Sequence, residues 1–239
     1  MGTVTGTRKM GRARFVRAMA GMTVLLVVFA LTTSPASSKP GTDWQCGGIG
    51  VTIVGTPGND VVIGTPGNDV IQTFGGDDVI FGTAGRGTDG NDVICGGDGN
   101  DVIYGGVGND WIIDDSKVIG STNDDVIYGG DGNDWITAGS GNDAIYGGGG
   151  TDTLDFSRAP AGVSVNLSSG KVSRDGYGVP DAAMASVVAD SVTRIENIGG
   201  SSYDDSLTGN AGDNVINGGG GTDTINGKGG KDTIDGVRV

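Results

Sequence analysis

Aspartate recurs in this chain with a period of nine. The positions are Asp60, Asp69 and Asp78; Asp92, Asp101 and Asp110; Asp125, Asp134, Asp143 and Asp152; then Asp205, Asn214, Asp223 and Asp232. A short carboxylate spaced in this way has two uses: it closes a tight turn, or it offers oxygens to a hard cation. The acids are 29 in number, and Glu196 is the sole glutamate. A generic solvated acidic surface would draw on both acids. There is no histidine, which excludes a histidine base and a histidine metal ligand. With 15 Lys and Arg the net charge is −14, so the basic face of a nucleic-acid binder is missing and no nucleic-acid partner is expected. The 50 glycines do not fall at every third residue and come with only 6 prolines, which excludes collagen.

The elements that must hold these acids follow from what lies beside them. Two residues after each stands an aliphatic: Val62, Ile71, Ile80, Ile94, Ile103, Ile112, Ile127, Ile136, Ile145, Leu154, Leu207, Ile216, Ile225 and Ile234. A solvated acidic linker would not keep fourteen of fourteen. The pattern alternates a six-residue turn with a three-residue strand whose middle side chain points inward. Glycine two before the acid lets the backbone bend sharply. Two units make one coil, and coils stack into parallel sheets. Five extra residues before Asp92 and six before Asp125 read as loops pushed out of the stack.

The best copies are Gly96-Gly97-Asp98-Gly99-Asn100-Asp101-Val102-Ile103-Tyr104 and Gly129-Gly130-Asp131-Gly132-Asn133-Asp134-Trp135-Ile136-Thr137. This G-G-x-G-x-D-x-U-x pattern resembles the nonapeptide of the RTX, or hemolysin-type, calcium-binding proteins. The resemblance covers 55–152 and 200–235. It implies an all-β fold, a right-handed parallel β-roll (β-solenoid), that takes up several Ca²⁺ ions. In that family the ligands are the key aspartate and turn carbonyls, shared with the turn two units later. Carried over, the metal residues are Asp60, Asp69, Asp78, Asp92, Asp101, Asp110, Asp125, Asp134, Asp143 and Asp152, followed by Asp205, Asp223 and Asp232. Weaker or absent calcium is expected where the pattern breaks. The breaks are Thr73-Phe74 for two glycines, Tyr203 at a turn glycine, the swapped Asp213-Asn214, and Lys228 with Lys231 in the last turn.

Physical chemistry favours the same ion. Stacked coils place like turns about 4.8 Å apart. Neighbouring carboxylates then repel by roughly 1 kcal/mol at water's dielectric and about 3–4 kcal/mol at an effective value of 20. One inward aliphatic per nine residues does not outweigh that together with the ordering entropy of so much glycine. The metal-free chain is therefore expected to be largely disordered. Calcium accepts six to eight oxygens in loose geometry, whereas magnesium demands a tighter octahedron and keeps its waters. No histidine or cysteine recurs in the turns, so zinc and copper are not expected.

The rest of the chain frames the array. Arg8, Lys9, Arg12, Arg14 and Arg17 precede an apolar run, Ala18 to Leu31, and Ser34-Pro35-Ala36 offers small residues for cleavage near Ala36. This reads as a secretory signal peptide; the alternative, a membrane anchor, needs about 20 apolar residues. The expected organisation is 1–36 signal peptide, 37–54 N-terminal flank or cap, 55–152 first array, 153–199 inserted longer coil or loop, 200–235 second array and 236–239 tail. Without residues 1–36, 10 Lys and Arg face 29 acids, a net −19, and no transmembrane segment remains. Cys46 and Cys95 are either a disulfide or two separate thiols; their spacing decides neither. If the loops preserve alternation, one sheet shows an outward column of Ile63, Phe81, Tyr104, Tyr128 and Tyr146, and the other shows Val70, Val93, Trp111 and Trp135. The aromatic ladder Phe81, Tyr104, Tyr128, Tyr146 either braces the sheet or forms a face for self-association, a glycan or a protein. In the insertion, Val163 to Leu167 alternates like a strand, Ile195-Glu196-Asn197-Ile198 belongs to the longer coil, and Ser173 to Ala189 is expected as a loop or short helix. No enzyme is expected: pairs such as Asp114-Asp115 and Asp124-Asp125 would need the cleft of a glycosidase, which a convex stack lacks. The expected function is a secreted, extracellular calcium-binding β-roll that folds on Ca²⁺. The alternative is a calcium-stabilised adhesive or polysaccharide-binding protein.

Overall fold

The computed structural model describes residue 46 and residues 50–84, 90–114, 123–176 and 190–236. The segment expected as a signal peptide, with its expected cleavage near Ala36, most of the N-terminal flank, Asp115, residues 177–189 and the last three residues lie outside the described residues. Nineteen strands follow one another, with no α-helix among the described residues. They are β1 (Ile53–Val54), β2 (Val61–Ile63), β3 (Val70–Gly75), β4 (Val79–Phe81), β5 (Val93–Asp98), β6 (Val102–Val107) and β7 (Trp111–Ile113). Next come β8 (Val126–Asp131), β9 (Trp135–Thr137), β10 (Ala144–Gly149), β11 (Thr153–Asp155), β12 (Ser164–Asn166), β13 (Lys171–Arg174) and β14 (Asp190–Thr193). The last are β15 (Asn197–Gly199), β16 (Ser206–Thr208), β17 (Val215–Asn217), β18 (Thr224–Asn226) and β19 (Thr233–Asp235).

Alternate strands go to alternate sheets. A nine-stranded sheet runs β1-β3-β5-β7-β9-β11-β15-β17-β19 and carries Trp111 and Trp135; we call it the tryptophan sheet. A ten-stranded sheet runs β18-β16-β12-β13-β14-β10-β8-β6-β4-β2 and carries the tyrosines. Pairing is parallel and in register, as in Val79↔Val102 and Trp111↔Trp135. The exception is β13, antiparallel to both β12 and β14. This is a parallel β-roll. The short loops leave the alternation intact, because an extra loop between position one of a turn and its aspartate does not disturb the strands on either side.

A single row of aliphatics from each sheet fills the interior. Ile71, Ile94, Ile112, Ile136, Leu154, Ile198 and Ile216 face Val62, Ile80, Ile103, Ile127, Ile145 and Leu207, all buried. Ile53 continues the row into β1, so the flank forms the first half-coil. At the other end the cover thins: Ile225 is half-buried and Ile234 is 43% exposed.

The insertion is a wedge. Strand β11 completes the tenth unit, so the first array extends through Asp155. Two strands, β12 and β13, then separate β14 from β16 in the tyrosine sheet, while β15 and β17 are direct neighbours in the other. Ser173 and Arg174 are strand, not loop or helix, because they pair with the alternating run at 163–167. The wedge adds Phe156, Ala159, Val163, Val165, Val172 and Ile195 to the same continuous core.

Candidate metal centre

Each nine-residue unit presents its aspartate at position six of a turn, and the backbone there is fully engaged. The position-six carbonyl accepts the N–H of the residue opening the strand one coil on, as in Val79 to Asp60 at 2.9 Å. The position-six N–H donates to Oδ1 of the aspartate one coil on. Asp60 donates to Asp78, Asp78 to Asp101, Asp101 to Asp125 and Asp125 to Asp143, and on the opposite edge Asp69 to Asp92, Asp92 to Asp110, Asp110 to Asp134 and Asp134 to Asp152, all at 2.7–3.0 Å. Position five runs a second ladder in the reverse sense. Oδ1 of Asn59, Asp77, Asn100 and Asp124 accepts the next coil's N–H at 2.7–3.0 Å, and Asn68, Asn91, Asn109 and Asn133 do the same on the other edge. So Asp124 and Asp125, adjacent in sequence, serve separate ladders: Asp124 lies in the outer one and Asp125 is buried.

The second carboxylate oxygen sorts the turns into two kinds. In four turns whose position two is Thr, Ser or Asn, its N–H turns back onto the same turn's position-six side chain. Thr56 donates to Asp60 Oδ2, Thr65 to Asp69 Oδ2 at 2.6 Å, Ser201 to Asp205 Oδ2 at 2.7 Å, and Asn210 to Asn214 Oδ1 at 2.9 Å. The hydroxyls of Thr56, Thr65 and Ser201 add further bonds at 2.8–3.0 Å. These turns cap themselves. Where position two is glycine with positive φ, as at Gly97 (109°), Gly130 (123°), Gly148 (123°) and Gly219 (78°), the N–H faces elsewhere. Oδ2 of Asp101, Asp134, Asp152 and Asp223 is then buried with no hydrogen-bond partner. A buried polar atom left so is costly unless something charged meets it.

Position one shows what that something would occupy. At Gly129 a Cβ would collide with Asp134 Oδ2 and lie 2.5 Å from the Gly147 carbonyl oxygen. At Gly105 it would meet Asp110 Oδ2 at 2.6 Å and the Gly129 carbonyl, and at Gly82 Asp92 Oδ2 at 2.6 Å and the Gly105 carbonyl. Glycine thus keeps a cradle in which a carboxylate oxygen of one turn and a carbonyl of the next converge. An all-oxygen, anionic donor set of this kind suits calcium. Asp101, Asp134, Asp152 and Asp223 would hold the ions, with Asp92 and Asp110 in matching cradles. A bound Ca²⁺ supplies the positive charge that turns repulsion between stacked carboxylates into cohesion.

Electrostatics points the same way. Burial pushes the Asp101 carboxyl up to about 7, with added repulsion from Asp78 and Asp125. Burial raises Asp78, Asp125 and Asp134 to about 6, and raises Asp152 as well. A nearby cation would restore the ionised form.

The two edges differ in position one. The turns entering the tryptophan sheet carry Gly64, Gly82, Gly105, Gly129 and Gly147 there. Those entering the tyrosine sheet carry Gly55, Thr73, Gly96, Asp114, Ala138 and Phe156. Thr73 is buried and donates its hydroxyl to the Gly96 carbonyl at 2.6 Å, so a side chain stands in the cradle that the sequence already marked as broken. Its neighbour Phe74 takes φ 78°, the backbone of the glycine it replaces.

Two functional positions were not evident from the sequence. Glu196 accepts the Asp152 N–H at 2.9 Å, which adds one rung to the tryptophan-edge ladder, while its own N–H returns to the Asp152 carbonyl at 3.1 Å. The signal was present, since Ile198 lies two residues on and nine before Leu207. On the tyrosine edge the same register holds Val163, whose N–H donates to Asp205 Oδ1 at 2.7 Å, so that column of acids is interrupted. Asp114 is the second: its N–H donates to the Thr137 carbonyl, which places it at position one of the seventh turn. Outside the turns, Cys46 and Cys95 are joined in a disulfide with Cα atoms 5.7 Å apart, which resolves the choice left open by their spacing.

A family model described as the RTX calcium-binding nonapeptide repeat matches the sequence in four copies, at 54–88, 86–113, 119–154 and 199–234. No curated protein matches the chain. The four copies fall on the stacked coils and leave out the wedge. With its oxygen cradles repeated along a parallel β-roll, this calcium-binding protein belongs to the RTX calcium-binding nonapeptide-repeat family.

Proposed function

We propose that the chain is exported and that its roll assembles outside the cell, when calcium at about 10⁻⁴–10⁻³ M fills the open cradles. The observation that carries this reading is the set of buried Oδ2 atoms on Asp101, Asp134, Asp152 and Asp223 that lack a hydrogen-bond partner. Ionised carboxylates of this kind destabilise an empty stack, so the free energy of ion binding becomes free energy of folding. The positive segment and apolar run before residue 36 support export. The role is structural rather than catalytic: the acids hold ions and coils together. Calorimetric calcium titration with parallel far-ultraviolet circular dichroism tests the reading. Uptake of several ions with a gain of β signal is the expected result; an unchanged spectrum between EGTA and 10 mM calcium overturns it.

A second reading, an adhesive or polysaccharide-binding surface, is favoured by the outward Trp111 and Trp135, in adjacent register and 37% and 46% exposed. The tyrosine column is less suited to stacking on sugar. Phe81, Tyr104, Tyr128 and Tyr146 stack on one another at 4.8–4.9 Å with planes within 9°, so their ring faces cover each other. Binding to a glycan array that needs calcium and is lost in Trp111→Ser with Trp135→Ser is the expected result of this reading; equal binding by parent and variant rejects it.

A further inference from the structure

At one place on the tyrosine edge the cradle contains a third carboxylate. Asp101, Asp114 and Asp125 are 1%, 1% and 2% exposed, and each offers a carboxylate oxygen within 4.8 Å of the other two. Asp114 stands at position one, where the turns of the opposite edge carry glycine. Its Oδ1 and Asp101 Oδ2 converge on the same side of Gly96, where an added Cβ would lie 2.7 Å from the first and 2.5 Å from the second. Both Asp114 Oδ2 and Asp101 Oδ2 are buried without a hydrogen-bond partner. The Gly97 N–H at 3.3 Å is a long contact to Asp114 Oδ1. Ionised carboxylates only accept hydrogen bonds, so nothing within the trio can satisfy these atoms. A cation, or a proton shared between two of the acids, must stand between them.

We propose that Asp114 converts the seventh turn into a three-carboxylate Ca²⁺ site, unlike the aspartate-and-carbonyl cradles of the other turns, and that it is the tightest site on the roll. It rests on the calcium-binding reading above. Adding the Asp114 carboxylate to the cradle brings a further full negative charge to a desolvated site, and ligand charge count is a main determinant of calcium affinity. The other turn residues of this site stay in place, so the gain adds to the ordinary cradle. This ion is the first to bind and the last that a chelator removes.

Calcium titration of the full chain, first stripped with EGTA, tests the proposal alongside Asp114→Gly and Asp114→Asn. In the parent, one ion per chain is expected in a class about tenfold or more tighter than the rest. Asp114→Gly installs the residue found at this position on the opposite edge. It should lose the tight class, retain the weaker ions and show the parent's circular dichroism at saturating calcium. Asp114→Asn preserves shape and removes the charge, so it gives the same readout should the glycine variant not fold. Parent and variants with superimposable isotherms, as when a shared proton bridges Asp114 and Asp125, overturn the proposal while leaving the calcium reading intact. Absence of calcium uptake by all three chains overturns both.

Discussion

Along the tryptophan edge, position one of successive turns reads Gly64, Gly82, Gly105, Gly129, Gly147; along the tyrosine edge it reads Gly55, Thr73, Gly96, Asp114, Ala138, Phe156. Both edges share the aspartate ladder, the position-five ladder and the coil-to-coil backbone bonds. What differs is whether a side chain enters the cradle. The first edge keeps position one free of side chains throughout, with the acid capped by its own turn only at Thr65. The second fills the same space in turn with a hydroxyl, a carboxylate, a methyl and a ring, and its column of acids is interrupted at Val163 before it resumes at Asp205 and Asp223. A repeat protein can therefore hold its backbone register fixed and change its chemistry at a single position per turn.

Removing calcium is the largest perturbation, and it tests both edges at once. With EGTA the β signal should fall to that of a disordered chain. Each ion at a hundredfold excess over its dissociation constant contributes about 2.7 kcal/mol. A melting curve insensitive to EGTA would mean that neither edge is a metal column.

A pair of glycine and alanine exchanges then separates the edges. Gly129→Ala pushes a methyl into Asp134 Oδ2 and the Gly147 carbonyl and should destabilise by on the order of 3 kcal/mol in calcium. Ala138→Gly, at the matching position across the roll, should cost about 1 kcal/mol or less. Equal effects in chemical denaturation would erase the distinction.

Acid should act oppositely on the empty and the loaded roll. Asp78, Asp125 and Asp134 are raised to about 6 and Asp101 to about 7. Their folded pKa values lie above the unfolded ones. In the metal-free chain their contribution to stability is fully present below about pH 4 and is lost as pH rises through 6 to 7. Acidification in EGTA should therefore restore structure, whereas in calcium it should weaken ion affinity as protons compete. Circular dichroism against pH in each buffer checks the sign; a metal-free chain most ordered at pH 8 contradicts it.

Smaller changes sharpen single turns. Thr73→Gly removes the hydroxyl bond to the Gly96 carbonyl and reopens the cradle, so calorimetry should count one additional ion. Thr56→Ala removes a self-capping hydroxyl at a cost of about 1 kcal/mol and should leave ion stoichiometry unchanged, since that acid already bonds its own turn.

Much of this was legible because it depends on period. Fourteen aliphatics two residues after the acids fixed the inward row, and nine-residue spacing fixed which outward residues share a sheet, including the stack from Phe81 to Tyr146. The broken third turn was also visible. What period does not encode is which oxygen faces which N–H. Asp60, Asp69 and Asp205 look like any other key acid, yet the Thr or Ser at position two turns their Oδ2 inward to their own backbone. Glu196 was hidden because it is longer than its counterparts and has no glycine before it. Asp114 falls nine residues after Gly105, but the period alone does not show that its carboxylate meets those of Asp101 and Asp125. The β12–β13 hairpin is local, with Asn166 opposite Lys171, but its docking between β16 and β14 depends on contacts between distant segments, which local pattern does not carry.

The disulfide gives the roll a direction. Cys46 and Cys95 close a span of 49 residues around the first coils, and with Ile113 they form a small apolar cluster on the outer surface of the tryptophan sheet. In the chain-entropy view such a crosslink is worth about 4 kcal/mol, independent of any ion. Among the described residues the second array has no such fastening, and Ile234 lies 43% exposed in β19. Loss of structure on calcium removal is thus expected to be uneven along the roll. Coils far from Cys95 are expected to loosen before those the crosslink holds, so that limited proteolysis in EGTA would cut the second array sooner than the first coils.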